Sequence, residues 1–192
     1  MNRSRIIFIS VIWFILAAAG FAVLLQYESK PGSGRVMENH WPSDSDFKPA
    51  AMPYTLVMGV HPRCPCTRAT IEELAVIMTH GQGQLKGYVL FIQPADFNED
   101  WVKTDTYRSA SSIPGIQTMI DRFGKQAELF HITTSGQTLV YDKRGNLLFN
   151  GGITSARGHV GDNDGVNSIL ELIRTGKASH RQTPFFGCPL FK

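Results

Sequence analysis

Only three cysteines occur among the 192 residues. That is too few for a scaffold stapled by disulfides, and one is left over if two pair. No run of five like charges occurs and the formal net charge is +3, so nothing in the charge pattern points to nucleic acid. Cys-X-X-Cys, the haem-attachment run Cys-X-X-Cys-His, a phosphate-binding glycine loop and the Gly-X-Ser-X-Gly nucleophile turn are all missing. No internal repeat is visible. The length allows one globular domain of about 130 to 150 residues with extra segments, enough to bury a core without staples. The cysteines therefore read as chemistry.

One long apolar run is present. Residues 6–25, IIFISVIWFILAAAGFAVLL, carry no charge, and about 20 apolar residues suffice to cross a bilayer. A cleavable signal would have an apolar region of about 7 to 15 residues. Here the run continues past Ala17, Ala18 and Ala19, which favours an uncleaved anchor. Arg3 and Arg5 lie in the short head, residues 1–5, so the positive-inside rule keeps that end cytoplasmic. In a bacterium the expectation is a single-pass inner-membrane protein with its C-terminal domain in the periplasm, where disulfides persist.

Residues 26–53 are rich in Ser, Pro, Gly and Asp and read as a linker or stalk. From 54 to 175 strand-like and helix-like signals alternate. Strands are expected at 54–60, 85–92, 116–121, 137–142 and 147–151, the last two joined by a Gly-containing hairpin turn. Helices are expected at 67–80, 99–109, 125–130 and 165–175. Asp164 is a natural cap for the last of these. The pattern is an α/β fold with a sheet of mixed strand direction. Residues 176–192 form a tail that carries Cys188 among Phe185, Phe186, Leu190 and Phe191, a composition suited to docking.

Cys64 and Cys66 sit where the first strand hands over to a helix. Pro65 suits the first helical position, which puts Cys64 at the N-cap and Cys66 second in the helix. Free backbone N–H groups and the helix dipole then favour thiolates there. Arg63, Arg68 and His61 add polar or positive groups, a setting that lowers a thiol pKa. Residues two apart lie within disulfide reach but point to different sides of a helix, so a bond between Cys64 and Cys66 would be strained and readily reduced.

The strand–cysteine–helix start, with GQTLVYD and GNLLF later in the chain, resembles the thioredoxin fold over residues 54–175. The segment DRFGKQAELF is similar to the membrane-tethered TlpA branch. CPCTRA, TTSGQTLVYD, FNGGITSARGHVGDNDG and TPFFGCPL resemble the RedB proteins, through Cys188. The resemblance implies a mixed sheet flanked by helices and a thiol–disulfide neighbourhood. The chain departs from thioredoxins in three places. One residue, not two, separates the cysteines; Gly136-Gln137 stands at the cis-proline position; and Met58 lies near the place of the buried acid. In the thioredoxin-like topology Gly152 arrives near Cys64, and the following loop brings Arg157 and His159 over it.

The leading expectation is a membrane-anchored thiol–disulfide oxidoreductase acting on a protein thiol or disulfide, without a cofactor. Cys64 attacks, Cys66 or Cys188 resolves, and His61 or His159 manages protons. Arg63, Gly136, Gln137, Gly152 and Arg157 are expected to face the substrate. The alternative is a copper-binding domain in which Cys64 and Cys66 are joined by His61, His159 or Cys188. Cys188 thus has three readings: resolving thiol, third metal ligand, or small buried hydrophobe.

Overall fold

The computed structural model describes residues 3–34 and 38–191. The first two residues of the expected head, residues 35–37 of the expected linker and the last residue of the tail lie outside the described residues. The chain divides into two units, residues 1–30 and 31–192. In the first, α1 (Arg3–Glu28) is a 26-residue helix that starts before the apolar run and continues past it. It buries no residue, and it is long and apolar enough to cross a membrane.

The second unit contains β1 (Tyr54–Val60), α2 (Cys66–His80), β2 (Leu85–Gln93), α3 (Glu99–Val102), α4 (Asp105–Ser111) and β3 (Ile116–Arg122). These are followed by α5 (Lys125–Leu129), β4 (Gln137–Asp142), β5 (Leu147–Gly151) and α6 (Asp164–Thr175). The sheet order is β3-β2-β1-β4-β5. β1, β2 and β3 run parallel, whereas β4 is antiparallel to both β1 and β5. The apolar strands β1 and β2 are buried on both faces, as central parallel strands are. Leu56, Met58 and Val60 of β1 face one core, with Leu74 and Ile77 of α2 and Ile169 and Leu172 of α6. Val57 faces the other, with Phe130, Ile132, Leu139 and Tyr141.

Three local expectations change. The expected helix over 99–109 is two short helices, because Thr104 caps a new start by accepting the Tyr107 N–H. The cap of α6 is Asn163, whose side chain accepts the Val166 N–H at 2.9 Å; Asp164 is the first helical residue. The segment read as a stalk is partly built into the domain. Trp41 stands edge-on to Phe130 and Tyr141 at 4.9 and 5.0 Å, and its indole N–H donates to the Phe47 carbonyl. Hydrophilic composition hid this, since two aromatics in a polar stretch carry no period.

The topology sends the C-terminal ends of β1, β2 and β3 and the end of β5 to one edge of the sheet. Residues 61–65, 133–136 and 152–163 gather there. Trp41→Ala is expected to cost about 2 kcal/mol, seen as a lower urea midpoint with the reactivity of the three thiols preserved.

Candidate functional site

Cys64 lies in the turn between β1 and α2, with its N–H donating to the His61 carbonyl at 3.1 Å. The helix opens at Cys66, and Pro65, with helical backbone angles, is its N-cap. Cys66 is therefore the first helical residue rather than the second, and Cys64 precedes the cap. The expected geometry at the helix start is otherwise preserved. Cys64 is buried, 3 % exposed, and Cys66 is half-buried.

The tail completes the site. The Ser135 N–H donates to the Cys188 carbonyl at 2.8 Å, and the Leu190 N–H donates to the Thr133 carbonyl at 2.9 Å. Thr134 and Pro189 thus form an antiparallel bridge. This pairing sets the sulfurs of Cys64 and Cys188 3.0 Å apart, both as free thiols. A disulfide needs about 2.05 Å between sulfurs, so a small approach is all that bond formation requires. Upstream, the Gly32 N–H donates to the Phe185 carbonyl at 2.8 Å, and the Thr133 hydroxyl donates to the Ser33 carbonyl. Residues 31–34 therefore strap the tail and the 133–135 segment together.

The three thiols differ electrostatically. Burial pushes the Cys64 thiol up, but the Cys188 thiol, the backbone N–H groups of Cys188 and Cys66 and the Thr67 hydroxyl together bring it below its ordinary value. Burial and the negative charge on Cys64 raise Cys66, opposed by the Arg157 guanidinium. Burial, then donation to Cys64, pushes Cys188 up to about 12. Cys64 is thus the most readily ionised of the three, and Cys188 the proton-bearing partner.

The other expected residues fall into two groups. Arg157 reaches the site: its guanidinium donates to the Gly187 carbonyl of the tail and interacts with Cys66. Gly152 arrives at the same edge but packs on the tail, where an added Cβ would meet Pro184 and Phe185. Its carbonyl accepts the Thr183 hydroxyl at 2.9 Å. Gly136 has a positive φ of 89° and donates its N–H to the Gly59 carbonyl, so it shapes the turn. Gln137 is fully buried, accepts the Thr133 N–H at 3.0 Å and donates to Asn150 at 3.0 Å. Both hold the 133–135 segment.

The described hydrogen bonds of the two histidines go to groups other than the sulfurs. The His61 Nδ1 accepts the Arg63 N–H at 3.2 Å, and the ring stands edge-on to Trp101. Burial and the neighbouring Arg63 charge lower its pKa, so the ring is neutral at pH 7. Arg63 itself lies over the Trp101 ring at 5.0 Å. His159 is exposed and bonds to the Arg157 carbonyl, so its described contact is local to the loop. Among the described residues no group of three or more His, Cys, Asp or Glu side chains is disposed to hold a metal ion.

Thr67 and Ser135 escaped the sequence reading. Their hydroxyls lie 3.0 Å apart, Ser135 accepts the His61 N–H at 3.0 Å, and Thr67 donates to the His61 carbonyl. Thr67 had one legible signal, a hydroxyl in the first turn of the helix beside the cysteines. Ser135 had only its place before Gly136.

No family model matches the chain, and no curated protein matches it. Solved structures do. A hypothetical protein of Sinorhizobium meliloti aligns with a TM-score of 0.65 at 19% identity, over 84% of this chain and 97% of that one. An uncharacterised conserved protein of Geobacillus kaustophilus aligns at 0.60 and 15% identity, over 86% and 92%. What these two alignments share with the chain is the mixed α/β sheet flanked by helices. A secreted disulfide oxidoreductase of Mycobacterium tuberculosis aligns only at 0.40 and 10% identity, over 50% and 66%, too slight a likeness to speak to chemistry. The first two show the fold alone.

The pH dependence of alkylation tests the order of the thiols. Cys64 is expected to react first with iodoacetamide, with a midpoint below the ordinary thiol range because its thiolate is the favoured form. Cys188→Ala removes an S–H donor, so the Cys64 midpoint should move upward.

Proposed function

We propose that the protein is a membrane-anchored, extracytoplasmic thiol–disulfide oxidoreductase whose redox couple is Cys64 and Cys188. The observation that carries this reading is the pair of free sulfurs 3.0 Å apart, one of them a favoured thiolate. The Cys64 thiolate attacks one sulfur of a partner protein's disulfide. A Cys64–partner bond forms, the partner's own S–S bond breaks, and its second sulfur leaves as a thiolate that takes a proton from water. Cys188 then gives up its proton and attacks the Cys64 sulfur, expelling the partner's remaining thiolate. The partner has gained two electrons, and the protein holds a Cys64–Cys188 disulfide. Run backwards, the same steps oxidise a dithiol.

The high pKa of Cys188 belongs to the resting state. Part of it comes from Cys64, by hydrogen bonding and by charge. Both contributions vanish once Cys64 is bound in a mixed disulfide, leaving burial and the Cys66 charge, opposed by the Arg157 guanidinium. Cys188 becomes a better nucleophile when it is needed. Cys66 is the second resolving thiol in this reading, handicapped by the small ring that a bond across one residue would close. The TlpA and RedB resemblance, the apolar α1 and the basic residues Arg3 and Arg5 at its start support a single-pass inner-membrane protein with a periplasmic domain. The copper alternative, built on Cys64, Cys66, Cys188 and His159, requires donors that converge, and the exposed, loop-bound His159 does not favour it.

Mass spectrometry of the mildly oxidised protein is expected to find Cys64 linked to Cys188 and Cys66 free to alkylate. A Cys64–Cys66 link would overturn the pairing, and three free thiols would sink the redox reading. Cys188→Ser should slow turnover of a disulfide substrate by roughly 10²-fold, the loss of an intramolecular resolving group, while the first, mixed-disulfide step persists.

A further inference from the structure

Cys188 carries its proton 3.0 Å from the Cys64 sulfur, held there through the Ser135 N–H on its carbonyl. Thiol–disulfide exchange makes little use of that proton. Its leaving group is a thiolate, whose conjugate acid has a pKa of about 8.5, and it departs unprotonated. Cleavage of an O–O bond is different. It expels hydroxide or an alkoxide, and the pKa of water is about 15.7, so departure needs an acid beside the attacking sulfur. Cys188, pushed up to about 12, keeps its proton at pH 7 and is still a stronger acid than water. Access points the same way. Cys64 is 3 % exposed, with the Cys188 sulfur against it and the backbone N–H groups of Cys66 and Cys188 donating to it. A protein disulfide must bring two sulfurs and their chains into line with so buried an atom. A hydroperoxide brings two oxygens.

We propose that the protein is also a thiol peroxidase, in which Cys64 reduces a small hydroperoxide while Cys188 serves first as the acid and then as the resolving thiol. This inference rests on the Cys64–Cys188 couple proposed above. The Cys64 thiolate attacks the terminal oxygen of the hydroperoxide. A bond forms between that oxygen and the Cys64 sulfur, and the O–O bond breaks. The departing oxygen takes the Cys188 proton and leaves as an alcohol, or as water when the oxidant is hydrogen peroxide. Cys64 is now a sulfenic acid, and Cys188 is a thiolate that the Arg157 charge favours. That thiolate attacks the Cys64 sulfur. The S–S bond forms, the S–O bond breaks, and the hydroxide that leaves takes a proton from solvent. The peroxide has gained two electrons and the two thiols have lost them. The proton given in the first step is the one whose loss makes Cys188 a nucleophile for the second. Because the two sulfurs already adjoin, the sulfenic acid is captured before a second peroxide can carry it to the irreversible sulfinic state. A partner dithiol then reduces the disulfide by the exchange steps already described, run in the oxidising direction.

The test is a single turnover of the reduced full chain in detergent, with Cys66→Ser throughout so that Cys64 and Cys188 are the only thiols. Hydrogen peroxide is the probe and the aromatic disulfide of thionitrobenzoate is the control. Each rate is expressed per Cys64 thiolate, taken from the pH profile of alkylation. Peroxide is expected to oxidise Cys64 on the order of 10²-fold faster than free cysteine thiolate, the contribution of a positioned acid. Mass spectrometry should find the Cys64–Cys188 disulfide as the product. Adding Cys188→Ala should slow the peroxide reaction by roughly 10²-fold, slow the reaction with the aromatic disulfide far less, and leave a Cys64 sulfenic acid that a 1,3-diketone traps. A peroxide rate no greater than that of free cysteine overturns the peroxidase and leaves the thiol reading standing, and so does a Cys188→Ala loss of equal size for both probes. If Cys64 reacts with neither probe, the thiol reading falls and takes this proposal with it.

Discussion

Two backbone hydrogen bonds govern the site: Ser135 N–H to the Cys188 carbonyl and the Leu190 N–H to the Thr133 carbonyl. Without them Cys188 is a cysteine on a twelve-residue excursion beyond α6, free to be anywhere. With them its sulfur stands 3.0 Å from Cys64. Each such bond contributes about 1 kcal/mol net, so the pairing alone would not hold the tail. The apolar side chains supply the rest. Phe185 is buried, Leu190 and Phe191 are partly buried against the second core, and residues 31–34 lie over the junction. The result is an ordered tail whose grip is spread over several modest contacts.

The single residue between Cys64 and Cys66 shapes the division of labour. With Pro65 at the cap, Cys64 falls outside the helix in the turn and Cys66 falls inside its first residue. The N–H of Cys66 can then donate to the Cys64 sulfur, a contact that uses one of the orphan donors of the helix start. The same closeness penalises Cys66: charge on Cys64 raises its pKa. One spacing thus stabilises the first thiolate and suppresses the second. The third cysteine, arriving from outside the helix, faces no small ring when it bonds to Cys64. That is a physical reason for the proposed couple to be Cys64 and Cys188.

The elements of the sheet were legible because β1, β2 and β4 are short apolar runs bounded by turn residues, and α6 carries a clean stripe of Ile169, Leu172 and Ile173. The mixed strand order followed from a hairpin placed after a strand–helix–strand unit. Cys64, Cys66 and Cys188 stood out as candidates from scarcity and from the helix start. What the sequence hid were relations made by pairing rather than by pattern. Nothing in TTSG announces that Ser135 will donate to a carbonyl more than fifty residues away. The partners of the histidines were hidden for a related reason. His61 and His159 are near the cysteines in chain or loop, but the Arg63 N–H and an edge-on contact with Trp101 engage the first and a local carbonyl engages the second. Trp41 and Phe47 lay in a stretch whose polarity reads as solvent, although their rings close the second core.

The loop between β5 and α6 joins these parts into one arrangement. Glu73 is buried in the middle of α2, and its carboxylate accepts the Gly161 N–H at 2.6 Å. A buried carboxylate without such a donor would be costly, so the loop and the helix stabilise one another. Anchored there, the loop carries Arg157 back to the start of the same helix, where its guanidinium meets Cys66 and the Gly187 carbonyl. One cation therefore offsets the burial of the second cysteine and grips the tail beside the third. Because Arg157 binds a backbone carbonyl, its hold on position 187 is indifferent to side chain, whereas its effect on Cys66 depends on charge. The same guanidinium therefore holds position 187 beside Cys188 while its charge favours the Cys66 thiolate against burial.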